Sequence, residues 1–99
     1  DKAIADFTEV IRISPDDAGF YFFRGDAYRE LGQHDKAIAD CTEAIRINPD
    51  LAPAYYSRGN AYEELGDEDK AAADFAKAKE LGYEPDDEEP PQPLVIASL

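Results

Sequence analysis

"DKAIADFTEVIRISPDD" at residues 1–17 returns at residues 35–51 as "DKAIADCTEAIRINPDL", with 13 identical letters in 17. The segments that follow these copies, 18–33 and 52–67, share 9 of 16 residues. A third, altered copy of the opening phrase, "DKAAAD", begins at residue 69. A fixed period of this length indicates stacked supersecondary units, each of which needs its neighbours to bury its apolar face.

The apolar spacing inside each unit predicts two helices. Ile4, Phe7 and Ile11 recur at i, i+3 and i+7, which places them on one helical face. The other half of each unit has tyrosine and leucine at helical spacing and ends on Gly32 or Gly66, a residue favoured at helix C-termini. Short loops make neighbouring helices antiparallel. We predict an all-α chain, stacked as a short right-handed α-solenoid, with five helices at about residues 2–13, 17–31, 35–47, 52–65 and 68–81.

The third copy of the phrase differs where the earlier copies bury isoleucine. Ala72 replaces Ile4 and Ile38 of the earlier copies, and Lys79 replaces another isoleucine. A terminal repeat needs a polar outer face, so we predict that the array ends here. The predicted organisation is the second helix of a truncated repeat (1–17), a full repeat (18–51), a carboxyl-terminal repeat with a polar outer face (52–83) and a tail (84–99).

The tail changes composition abruptly, with four prolines, five acidic residues and no basic residue. This composition predicts a disordered, solvated linker that ends in the apolar sequence "LVIASL" at 94–99. The alternative is a tail that folds back onto the repeats as a tethered pseudo-ligand.

The charge of the chain narrows the class of partner. There are 23 acidic and 10 basic residues, a net charge of −13, and residues 1–83 hold 18 acids against those 10 bases. Nucleic-acid binding depends on Lys and Arg that neutralise phosphates, so we predict no nucleic-acid partner. No apolar run approaches the roughly 18 residues of a membrane span, so we predict no membrane partner either. We expect a cytoplasmic location, and we interpret the chain, which begins inside a periodic segment, as a fragment.

No set of residues points to catalysis. The single histidine, His34, precedes a helix, and the single cysteine, Cys41, lies on an apolar stripe, where it is expected to be a small buried hydrophobe. Acidic pairs such as Asp35 with Asp40 recur because the repeat recurs, and we interpret them as helix-start and solvated-face residues. We predict a non-enzymatic protein with no catalytic residues, metal ligands or cofactor.

The chain resembles the tetratricopeptide repeat family, whose 34-residue pattern places aromatic residues, Gly, Ala and Pro at fixed offsets. The matching residues are Tyr21, Gly25, Tyr28, Ala37, Cys41, Ala44 and Pro49, then Tyr55, Gly59, Tyr62, Ala71, Phe75 and Ala78, with Ala3, Phe7 and Pro15 from a preceding unit. Arg24 and Arg58 depart from the pattern, which prefers Leu there, and Tyr83 replaces its closing Pro. Glycine within a helix costs about 1 kcal/mol relative to alanine, so Gly25 and Gly59 predict a close approach of helix backbones.

The resemblance implies a concave groove, lined by the first helix of each repeat, that receives a peptide. Four acids and one base give the predicted surface a charge of −3, which favours a basic or apolar peptide over an acidic one. Tyr21, Tyr28, Tyr55 and Tyr62 are predicted to lie on the opposite, core face. The predicted groove residues are Phe22, Phe23, Asp26, Arg29, Glu30, Tyr56, Ser57, Asn60, Glu63 and Glu64.

Two alternatives to a peptide-binding scaffold remain open. The first is a self-assembly element that forms a homo-oligomer through the apolar face of residues 2–13, where Ile4, Phe7 and Ile11 lack a covering helix. The second is a docking arm of an enzyme whose catalytic domain lies outside this chain.

Overall fold

The computed structural model describes residues 1–84, and all regular structure in that part is α-helical. The prediction of five helices is confirmed, and each predicted end lies within one residue of the observed one. The tail predictions concern residues that lie almost wholly outside the described range. The helices are α1 (Lys2–Ile13), α2 (Ala18–Glu30), α3 (His34–Ile47), α4 (Ala52–Glu64) and α5 (Glu68–Glu80).

Side-chain caps and glycines define several helix ends. The Asp1 carboxylate accepts hydrogen bonds from the backbone N–H groups of Ala3 and Ile4, which satisfies donors that have no partner within α1. After α4, Gly66 has a φ of +84°, a left-handed conformation that side chains other than glycine rarely adopt. No helix among residues 1–84 is long and apolar enough to cross a membrane.

Consecutive helices pack against each other, and α2 also contacts α4 directly. The core between the two full repeats is a cluster of small side chains, Ala18, Ala44 and Ala54, surrounded by partly buried residues such as Ile45 and Leu51. Alanine at these positions lets three helices approach closely. The first helices of the two full repeats therefore lie side by side and form one continuous surface.

Gly25 and Gly59, each in the middle of a helix, lie at close contacts between helices, as predicted. A Cβ atom added at Gly59 would lie 2.7 Å from Cε1 of Phe75 and 3.2 Å from Cβ of Asp74. At Gly25 it would lie 3.1 Å from Sγ of Cys41. The helix-propensity cost of glycine is thus offset by close packing of α2 on α3 and of α4 on α5.

Two arginines each connect three helices. Arg58 of α4 donates to both carboxylate oxygens of Asp74 on α5, at 2.8 and 2.7 Å, and to Oγ1 of Thr42 on α3, at 3.2 Å. Thirty-four residues earlier, Arg24 of α2 makes the same bidentate contact with Asp40 on α3, at 2.7 and 2.8 Å. It also donates to Oγ1 of Thr8 on α1, at 3.0 Å. The hydrogen bonds to Asp40 and Asp74 raise the pKa of Arg24 and of Arg58 above the ordinary value, so both remain charged.

The interpretation of the acidic pairs as solvated was therefore wrong for two of their members. Asp40 and Asp74 are 7% and 5% exposed, because each lies under the arginine of the neighbouring helix. Tyrosines flank both guanidinium groups. The Cζ atom of Arg58 lies 5.7 Å from the Tyr55 ring and 5.9 Å from the Tyr62 ring, and that of Arg24 lies 6.0 and 5.9 Å from Tyr21 and Tyr28.

The first prediction concerns the buried ion pair. Asp74→Asn leaves Arg58 without its charge partner at an interface that excludes most water, and we expect a loss of about 3 kcal/mol in the free energy of unfolding. Urea unfolding followed by circular dichroism measures this loss. The control is Glu43→Gln, which breaks the exposed pair with Arg46 and should leave the midpoint nearly unchanged. Equal losses in the two variants would contradict the structural role of the buried pair.

The second prediction concerns the close helix contact. Gly59→Ala should destabilise the fold by about 1–3 kcal/mol, since the new methyl group overlaps the Phe75 ring. Helix propensity alone gives the opposite sign, a gain of about 1 kcal/mol. A double-mutant cycle with Phe75→Leu checks the cause, because the smaller side chain should make Gly59→Ala less harmful. An increase in thermal midpoint on Gly59→Ala alone would contradict the prediction, because it would mean that the Phe75 ring shifts at little cost.

Candidate functional site

The ten predicted groove residues lie on α2 and α4, and one contact joins the two helices there. Ser57 Oγ donates to Asp26 Oδ1 at 3.1 Å, and Arg29 Nη2 donates to the same oxygen at 2.8 Å. Ser57 is only 4% exposed, so the prediction that it lines an open surface is wrong. It positions the Asp26 carboxylate between the repeats, and Asp26 is already paired with a cation from its own helix.

The unmatched charge of this surface is negative. Asp26 and Arg29 form an ion pair, whereas Glu30, Glu63 and Glu64 are all exposed. With the ion pair counted as neutral, three carboxylates remain along the adjoining ends of α2 and α4. We use the term concave surface for the exposed or half-exposed residues of the predicted groove, namely Phe22, Phe23, Asp26, Arg29, Glu30, Tyr56, Asn60, Glu63 and Glu64.

An aromatic cluster lies at the amino-terminal end of the concave surface. The Phe23 ring centre lies 5.8 Å from that of Phe7 on α1, 5.5 Å from Phe22 and 6.3 Å from Phe20. Phe23 is nevertheless 49% exposed. Phe22 is half-buried against the alanine core, which makes it mainly a packing residue.

The predicted self-association residues on α1 also differ in how exposed their side chains are. Ile4 and Phe7 are half-buried, but Ile11 is buried within the chain. The prediction that Ile11 lines an open apolar face is therefore wrong, because the packing of α1 on α2 already covers it. The exposed apolar area at this end is concentrated instead on Phe23 and on Ile13, which is 66% exposed.

A cavity of about 560 Å³ lies at the carboxyl-terminal end of the concave surface. The Tyr56 ring centre lies 5.4 Å from that of Phe75 and 5.1 Å from that of Tyr83, and these rings form much of the wall. The lining residues are Tyr56, Asn60, Glu63, Phe75, Ala78, Lys79, Tyr83 and Glu84.

Three of these eight residues were predicted as groove residues, and the other five were missed. They come from α5 and the turn that follows it, whereas the prediction drew only on the first helix of each repeat. Tyr83 carried a signal, since an aromatic residue stands there in place of the proline at the corresponding position of the preceding repeat. Ala72 and Lys79 are exposed, but the outer end is not uniformly polar because the aromatic wall adjoins it.

Comparison with protein-family models identifies the chain. A TPR repeat model matches residues 25–66, and a second model, described as tetratricopeptide repeat, matches residues 52–81. The chain belongs to the tetratricopeptide repeat family. A search of curated protein sequences gives no significant match.

Solved tetratricopeptide repeat structures resemble the chain over most of its length. The Arabidopsis OM64 TPR domain is 38% identical, with a TM-score of 0.81, over 82% of this chain and 67% of that one. The second TPR of Spaghetti (RPAP3), bound to the HSP90 peptide SRMEEVD, is 30% identical, with a TM-score of 0.79, over 81% and 74%. MamA is 37% identical, with a TM-score of 0.75, over 79% of this chain but only 46% of its own.

The tetratricopeptide repeat is a protein-interaction module. Cys41, the only cysteine, is fully buried, and burial raises the pKa of its thiol to about 11. At neutral pH it is therefore a protonated packing residue and a poor nucleophile. Residues 1–84 contain no cluster of three or more His, Cys, Asp or Glu side chains that could hold a metal ion.

Proposed function

We propose that this chain is a non-catalytic scaffold that binds a basic or apolar peptide segment of another protein on its concave surface. The observation that carries the proposal is the set of exposed carboxylates, Glu30, Glu63 and Glu64, on the same two helices as the partly exposed aromatic side chains of Phe23 and Tyr56. Carboxylates favour Lys and Arg in the ligand, and the aromatic groups favour apolar side chains.

The negative charge of the concave surface argues against an acidic ligand like the one that the Spaghetti domain binds. The Spaghetti domain binds SRMEEVD, which contains two glutamates and an aspartate. The concave surface here has three exposed carboxylates, and its only cation, Arg29, already pairs with Asp26. An acidic peptide would meet charges of its own sign, so we assign the ligand the opposite charge.

The aromatic residues at the two ends supply the apolar part of the site. Phe23 presents about half of its surface at one end, and Tyr56 lines the cavity at the other. A peptide that contacts both would present apolar side chains to Phe23 and Tyr56 and basic side chains to the carboxylates. Aromatic side chains provide large contact areas at low conformational-entropy cost, and they are common among residues that dominate binding energy.

The third prediction tests the charge of the site. A fluorescent peptide that alternates Lys and Arg with Leu should bind at least about tenfold more tightly than SRMEEVD, a difference of about 1.4 kcal/mol. The double variant Glu30→Lys/Glu64→Lys should weaken binding of the basic peptide by about tenfold or more, and added salt should weaken binding to the original chain. Fluorescence anisotropy at two salt concentrations measures both effects.

The matched control is Asp6→Lys/Glu9→Lys, which makes the same change of net charge on α1, away from the concave surface. It should alter affinity far less than the concave variant does. If the two variants weaken binding equally, the attraction depends on net charge alone and the concave surface is not the site. Tighter binding of SRMEEVD would reverse the assigned ligand charge.

A second candidate function, self-association through the amino-terminal end, is favoured by one comparison within the chain. Ser57 is 4% exposed where α2 lies beside it, whereas Phe23, the residue 34 positions earlier, is 49% exposed. An aromatic side chain in this position is the kind of residue that another protein surface covers. A second copy of the chain would bury Phe23 together with Phe7.

The fourth prediction tests this candidate. Phe23→Ser places the residue of the following repeat at this position, and it should lower the fraction of dimer or larger species in sedimentation velocity at high concentration. The control is Ile13→Ser, which removes an exposed apolar side chain outside the aromatic cluster. A chain that is monomeric at all accessible concentrations would eliminate self-association.

A further inference from the structure

The packing of the second full repeat on the first provides a template for interpreting the cavity at the carboxyl-terminal end of the molecule. In the middle of the molecule, α4 rests on α2 and α3 through residues spaced i, i+3, i+4 and i+7. Ala54 packs with the alanine core, Ser57 donates to Asp26, and Arg58 reaches Thr42. Ala61, the last of the four, is fully buried. We call the surface of α2 and α3 that receives α4 the internal helix seat.

The cavity lies on the equivalent surface, one repeat further along the chain. All eight residues that line it stand 34 positions after residues of the first full repeat, and five of these pairs concern the surface that receives α4. Most of those earlier residues belong to the core around α4. The pairs are Phe22 and Tyr56, Asp26 and Asn60, Cys41 and Phe75, Ala44 and Ala78, and Ile45 and Lys79. The cavity is therefore a second helix seat, and within residues 1–84 no helix occupies it.

The sequence differences between the internal helix seat and the cavity determine which kind of helix could bind in the cavity. Asn60 replaces Asp26, so the seat keeps a hydrogen-bonding group opposite the position of Ser57, and that group can both donate and accept. Lys79 replaces Ile45 and adds a cation at the margin, where Glu63 and Glu84 also lie. The wall of three aromatic rings remains apolar. A matching helix needs small side chains facing the wall, a hydroxyl opposite Asn60 and charged residues at its edges.

The sequence at the corresponding positions of this chain does not have that face. Counting 34 residues on from Ala54, Ser57 and Ala61 gives Glu88, Pro91 and Val95. A carboxylate, a proline and a β-branched residue replace two alanines and a serine. Proline in addition lacks the backbone N–H that a helix interior needs. Residues 88–95 in this register therefore do not provide a matching face.

We propose that this seat docks an α-helix of a partner protein, with a small-residue face that has Ala, Ser or Gly at i, i+3 and i+7 and a hydroxyl opposite Asn60. This goes beyond the proposed function, in which a basic or apolar peptide segment binds along the concave surface. The two sites share Tyr56, Asn60 and Glu63. Residues of α5 belong only to the seat, and they allow the two proposals to be tested separately.

The experiment uses a synthetic peptide with the sequence of residues 52–64, constrained as a helix by a lactam bridge between side chains on its outer face. We expect saturable binding to the full chain in fluorescence anisotropy. Ala76→Arg should reduce it by about tenfold or more, because Ala76 corresponds to Thr42, which contacts the bound helix in the internal seat. A peptide with phenylalanine in place of Ala54 and Ser57, as in α2, should also bind about tenfold more weakly.

Ala73→Arg is the matched control. Ala73 corresponds to Ala39, which stays exposed although α4 is in place, so the added side chain should not affect docking. Both arginine variants should bind the basic peptide of the third prediction like the original chain, so loss of one activity does not imply loss of the other. No saturable binding of the helix, or equal effects of Ala76→Arg and Ala73→Arg, would overturn the proposal. A dimer of the chain that Ala76→Arg dissolves would also overturn it, since the occupant would then be a second copy.

Discussion

The arrangement of the helices depends on a charged side chain at a position where the family prefers leucine. Arg58 connects α3, α4 and α5, and Arg24 connects α1, α2 and α3. A leucine would stabilise the interface by apolar burial without directional preference, whereas a guanidinium paired with a buried carboxylate is stable only in one geometry. The two arginines therefore fix how each helix sits on the next, and the glycines can face neighbouring side chains at near-contact distance.

This use of arginine also determines the electrostatics of the outer surface. Each of the five arginines in the chain, at positions 12, 24, 29, 46 and 58, forms an ion pair with a carboxylate of residues 1–84. Acidic residues outnumber basic ones by 13, and Glu30, Glu63 and Glu64 of the concave surface are exposed. Two of the tyrosines on α4, Tyr55 and Tyr62, flank the guanidinium group of Arg58. The third, Tyr56, lines the cavity instead.

The period and the helical spacing were sufficient to predict the five helices, because each helical pattern appears in at least two copies along the sequence. They were not sufficient to predict the burial of Asp40 or Asp74, since each depends on an arginine 16 residues earlier on a neighbouring helix. A pattern along one helix contains no information about that distance in space. Ser57 was misplaced for the same reason, as its burial comes from the neighbouring repeat. The cavity was missed because five of its eight lining residues belong to α5 and to the turn that follows it.

Equivalent positions in the two repeats also show that the two ends of the molecule differ in shape. The amino-terminal end presents the bulky Phe23, whereas the carboxyl-terminal end presents a recess whose internal counterpart accommodates Ala54 and Ser57. Inserting a phenylalanine where the template has serine would overpack that contact. The amino-terminal face of one copy is therefore a poor match for the recess of another, so simple head-to-tail stacking is disfavoured. Shape complementarity instead favours a different binding surface for each end.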